Sequence, residues 1–151
     1  MVSRYVSQPI RLSKAAAAGD YVRADLIFHG VDHSEASYEG RVYINAPRAD
    51  AKSGRDHASY AGSYVVFGHG GCFGDVGHCD VPTGPRNPFD LRQAHQLTPT
   101  VKVVIVTDAL KRIVAKAGGA DSITVTVVCV APSRDSNEWL KFDEVRLLTY
   151  R

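Results

Sequence analysis

The segment Ile123-Thr-Val-Thr-Val-Val-Cys-Val130 constrains this chain more than any other. Seven of its eight residues are branched at Cβ, and such side chains pack well on a pleated sheet but lose rotamer freedom in a helix. Val125, Val127 and Cys129 share one face of the strand. Cys129 therefore reads as a small buried hydrophobe.

Shorter segments repeat the signal. Val22, Ala24, Leu26 and Phe28 alternate with Arg23 and Asp25, the period of a half-buried strand. Arg41–Ala46, stopped by Pro47, then Tyr60–Phe67, Val101–Val106 and Trp139–Thr149 read likewise, the last with Phe142, Val145 and Leu147 facing a core. One stretch has helical spacing: Leu110, Ile113, Val114 and Ala117 fall on one side, with Thr107 as N-cap and Gly118 just beyond the end. Strands with a single amphipathic helix at about 107–117 predict a mainly β fold, an antiparallel β-sandwich. The polar, Ala-rich residues 1–20 read as an N-terminal arm and 21–151 as one domain.

With 44% hydrophobic and 23% charged residues, the chain has the make-up of a folded domain. A net charge of +2, with basic residues scattered, argues against nucleic acid as a partner. No apolar run is long enough to cross a membrane. No apolar signal core precedes Ala15–Ala18, so a cytoplasmic protein is expected, or an excised domain of a larger or exported one.

Reactive side chains concentrate in His69-Gly-Gly-Cys72-Phe-Gly-Asp-Val-Gly-His78-Cys79. This segment lies between the third strand and a Pro-rich loop over 80–99. Thiolate and imidazole together suit copper and zinc. Cys72, Cys79, His69 and His78 are thus candidate ligands, with His29 and His33 in reserve and copper ranked above zinc. The spacing matches no zinc finger, and the lack of any methionine beyond Met1 argues against a blue-copper site. The alternative is a Cys72–Cys79 disulfide pinching a Gly-rich loop, which needs an oxidising compartment. His57 and His95 read as exposed loop residues. No nucleophile elbow and no phosphate-binding loop is present.

The order of segments resembles the C-terminal domain of the tyrosinase and polyphenol oxidase family. Tyr43-Ile44-Asn45, Tyr60-Ala61-Gly62-Ser63-Tyr64, the strand and helix of Val103–Lys116, and Ile123–Val128 are similar to the family's "VYIN", "AGSF", "TDLL" and "TVTLV" segments. Lys141-Phe142-Asp143-Glu144-Val145 approximates its Lys-Phe-Asp-Val motif, here near the C-terminus. The resemblance implies a β-sandwich that covers a dicopper centre, helps to load copper, and is displaced on activation. Some fungal relatives load copper through a Cys-x-x-Cys motif, to which Cys72 and Cys79 would correspond by role only.

A dicopper centre needs six histidines, and this chain has six in all, none on its helix. The chain is therefore expected to be a metal-binding accessory or shielding module and no tyrosinase itself. Its partner would be a tyrosinase-type catalytic domain or a second copy. Two alternatives stand beside this: an interaction module stapled by a disulfide, and a small metal-dependent oxidase.

Overall fold

The computed structural model describes residues 4–131 and 139–151. Its elements in chain order are β1 (Arg4–Val6), β2 (Ile10–Arg11), α1 (Lys14–Ala18), β3 (Arg23–Val31), β4 (Tyr38–Ile44), β5 (Tyr60–Val66), β6 (Thr100–Ile105), α2 (Thr107–Lys116), β7 (Ser122–Ile123), β8 (Val125–Val130) and β9 (Glu144–Tyr150).

Two antiparallel sheets face each other, one of four strands in the order β1-β8-β4-β5 and one of three in the order β6-β3-β9. A small β2-β7 pair adjoins them. The mainly β, antiparallel sandwich predicted from the alternating runs is the observed fold. The inner faces supply the core. Ala24, Leu26 and Phe28 come from β3, Val42 and Ile44 from β4, and Val125, Val127 and Cys129 from β8. Phe28 bridges the sheets, its ring 4.9 Å from that of Tyr64 and 5.3 Å from that of Phe142. Gly62 permits close approach of β5 to β6, because a Cβ there would lie 2.6 Å from Val104 Cγ1.

The helix expected at 107–117 forms, with Ala109, Leu110 and Val114 buried. Gly118 closes it in left-handed geometry, at φ 68. The Gly118 N–H donates to Ala115 and the Gly119 N–H to Val114, as in a Schellman motif. Thr107, however, does not cap the helix. Its Oγ1 accepts the Ala24 N–H of β3 at 3.0 Å, and the cap position is taken by Val106 with no side-chain bond. An otherwise unpaired strand amide claims that hydroxyl.

The N-terminal arm is the principal correction. Residues 1–3 of it lie outside the described residues, but 4–20 are built into the sandwich. β1 pairs with β8, Ser7 N–H donates to Val125 O and Ser7 Oγ accepts from Val125 N. Leu12 and Ala16 join the core, and Tyr5 stacks edge-on against Phe142. Three residues of strand and five of helix leave too short a periodicity to read from sequence. Val22 is likewise exposed, although it continues the alternation of β3.

Among the described residues no helix is long and apolar enough to cross a membrane. Leu12→Ala should lower the unfolding free energy by about 2 kcal/mol or more, whereas Val22→Ala should stay within about 0.5 kcal/mol of wild type. Urea titrations of the two variants decide whether this segment is core or arm.

Candidate functional site

Two connections meet at one end of the sandwich, β3–β4 and β5–β6. The β5–β6 connection, residues 67–99, carries the His/Cys cluster. Its root is fixed by backbone. Gly68 N–H donates to Ser37 Oγ at 3.0 Å, and the N–H groups of His69, Gly70 and Gly71 donate to the carbonyls of His33, Glu35 and Ser34 at 3.0, 2.8 and 2.9 Å. Gly68 is required there, since a Cβ would lie 2.0 Å from Glu35 O.

Beyond the root, Cys72 and Cys79 are joined by a disulfide, their Cα atoms 5.8 Å apart. The pair predicted first as thiolate ligands is thus in its alternative, bonded form. Gly70, Gly71 and Gly77 take positive φ values that permit the reversal. A Cβ on Gly74 would lie 2.6 Å from His78 Cδ2, so the absence of a side chain there lets the His78 imidazole fold back over the closed loop.

His69, Cys72 and His78 line one cleft of about 690 Å³, together with Phe73, His95 and Leu97. His33 stands beside it, its ring 5.1 Å from that of His69. Of the reserve ligands, His33 is therefore brought to the cluster, while His29 is not. His29 sits in β3 opposite Glu144 and does not line the cleft.

His95, expected as an exposed loop residue, is half-buried and structural. Its Nε2–H donates to His78 O at 2.8 Å and its Nδ1 accepts Leu97 N–H at 3.1 Å, tying the Pro-rich segment to the disulfide loop. Nothing local in the sequence marks this role, because the partner lies 17 residues away. His33 Nε2–H donates to Thr98 O at 2.9 Å. The imidazoles of His69 and His78 have no hydrogen bond among the described residues. Of the four histidines at this cluster they are the two with neither ring nitrogen engaged. Across the described residues, no three His, Cys, Asp or Glu side chains are gathered around a common point in this disulfide form.

The rest of the loop is ordered by its own turns. Arg92 grips Asp90 through its side chain, at 2.8 and 2.7 Å, and through its N–H at 3.1 Å, drawing that carboxyl down to about 2. Phe67, Phe73, Val76, Phe89 and Leu91 all stand exposed, Phe73 at 85%, Phe89 at 88% and Leu91 at 95% of full exposure. Large apolar side chains in a Gly- and Pro-rich stretch without periodicity are their signal in the sequence.

No family model matches the chain, and no curated protein matches it in sequence. Solved structures do. Recombinantly expressed latent aurone synthase, a polyphenol oxidase, superposes with a TM-score of 0.56 at 12% identity over 97% of this chain. The same enzyme from its natural source gives 0.54 at 12% identity over 99%. This chain has a fold that polyphenol oxidases carry. It spans 24% of the length of those enzymes, and at this identity the likeness is one of fold.

Cys129 is the free cysteine among the described residues, and burial pushes its thiol up to about 11. At pH 8 it should stay protonated and shielded, with a thiolate fraction of about 0.1%. After mild reduction of native protein, iodoacetamide should therefore label Cys72 and Cys79, and label Cys129 only once denaturant is added. Peptide mass mapping reads the outcome.

Proposed function

We propose that this chain is a non-catalytic covering module that docks on a polyphenol-oxidase-type catalytic domain through its 67–91 loop. The observation that carries this reading is the set of exposed apolar side chains on a loop closed by a disulfide. Burying each Phe, Leu or Val would contribute about 1.5–3 kcal/mol before ordering costs. The Cys72–Cys79 closure and the His95 bonds have already removed part of that ordering cost. Aromatic side chains held rigidly in this way are typical anchors of an interface.

The fold likeness supports the choice of occupant. The neighbours are latent enzymes, and the part of them unlike this chain is about three times as long as the part it matches. The core beneath the loop supplies rigidity and no chemistry. Tyr38, Tyr64 and Cys129, buried in it, are pushed towards the neutral form by desolvation. None is placed as a general base.

Added to the polyphenol-oxidase catalytic domain of its own source, the chain should slow phenol oxidation. Phe73→Ser combined with Phe89→Ser should weaken that inhibition about tenfold or more, with the unfolding curve unchanged. No binding at tens of micromolar and an unaltered oxidation rate would sink the proposal.

A further inference from the structure

The cleft beneath the loop is lined by Cys72, which is bonded to Cys79, and by the unengaged imidazoles of His69 and His78, and the docking role uses neither imidazole. We propose that reduction of the Cys72–Cys79 disulfide opens a site for a thiophilic d10 cation, Cu(I) or Zn(II), formed by both thiolates with His69 and His78. This inference stands apart from the docking reading.

Geometry supports it at three points. First, the Cα atoms of Cys72 and Cys79 lie 5.8 Å apart. Two thiolates bound tetrahedrally at about 2.3 Å from a cation sit about 3.8 Å from each other, a separation that rotation about the side-chain bonds can reach from that backbone. Second, the His78 imidazole already lies over the closed loop, in the space that Gly74 leaves free, and His69 lines the same cleft. Third, the histidines nearby divide cleanly. His95 spends both ring nitrogens, and His33 one of them, on backbone partners. The imidazoles of His69 and His78 make no such bond.

The chemistry closes without further reagents than a thiol reductant and the ion. A dithiol transfers two electrons and two protons to the S–S bond, leaving Cys72 and Cys79 as thiols and the reductant as a cyclic disulfide. Binding the cation then releases both thiol protons and forms two metal–sulfur bonds. Soft thiolate ligation suits either ion. Until the S–S bond is broken neither sulfur is a thiolate, so uptake waits on reduction.

The test is metal uptake by the whole chain under anaerobic conditions, after the reductant has been removed. Zn(II) and Cu(I) are titrated separately against a chromophoric competitor. Reduced wild type should bind one equivalent of at least one of them, and oxidised wild type none. Reduced Cys72→Ser/Cys79→Ser should lose uptake, while reduced Cys129→Ser should keep it. Because residues 72 and 79 lie on a surface loop, far-UV circular dichroism should show the double variant folded, and the same spectrum checks Cys129→Ser, which places a hydroxyl in the core. Absence of uptake of either ion by reduced wild type would overturn the proposal. So would equal uptake by the oxidised protein or by the double variant. None of these readouts depends on whether a catalytic domain binds the loop.

Discussion

Phe28 holds the two sheets together. It is fully buried in the central strand of the three-stranded sheet, and its ring meets Tyr64 from the opposite sheet and Phe142 from the segment leading into β9. Phe142 in turn receives Tyr5 from the edge strand β1. One aromatic chain thus links the first strand, the middle strand and the approach to the last. The ends of β3 and β9 are then locked by backbone bonds, with Asp143 N–H donating to His29 O and Asp32 N–H to Lys141 O. That lock sets the position of the β3–β4 connection. The carbonyls of His33, Ser34 and Glu35, which anchor the root of the long loop, belong to it. Core packing therefore reaches the candidate site through ordinary backbone geometry.

Past its root, the loop has little core of its own. Leu97 is its one buried large side chain among the described residues. Order must come from local constraints, and each spans a different length of chain. The Arg92–Asp90 grip closes a single turn, the disulfide closes eight residues, and His95 joins the two halves of the loop. Glycine-rich backbone loses much entropy on ordering. Without these clamps the loop would open well before the sandwich unfolds.

Much of the sandwich was legible because a half-buried strand writes its burial as a two-residue alternation. Phe28, Val42 and Tyr64 lie in strands read that way, and Val127 in one legible from its Cβ-branched residues and buried on both faces. The amphipathic helix was legible through Leu110 and Val114. What escaped had no period to read. β1 and α1 are too short, and β1 finds its pairing partner more than a hundred residues away, with Arg4 opposite Val128. Thr107 has the composition of a cap, yet a neighbouring strand's amide took its hydroxyl. At the candidate site the Cys/His density was plain, but the choice between free thiols and a disulfide is a matter of spatial closure. Spacing alone left it open, and the role of His95 was hidden for the same reason.

The two proposals meet in the cysteine pair. A lasting disulfide belongs to an oxidising compartment, whereas thiols in a reducing cytoplasm stay reduced. The closed Cys72–Cys79 loop and its reduced, open form are therefore two chemical states between which the surroundings choose. Reduction alone would free Phe73 and Val76 from the closed loop and return to them the entropy whose prior loss favours docking. A cation held by both thiolates would restore the closure, since it also ties the backbone at 72 to that at 79. On this reading the docking loop is presented in two states, oxidised or metal-bound, and slackens only when the protein is reduced and metal is scarce.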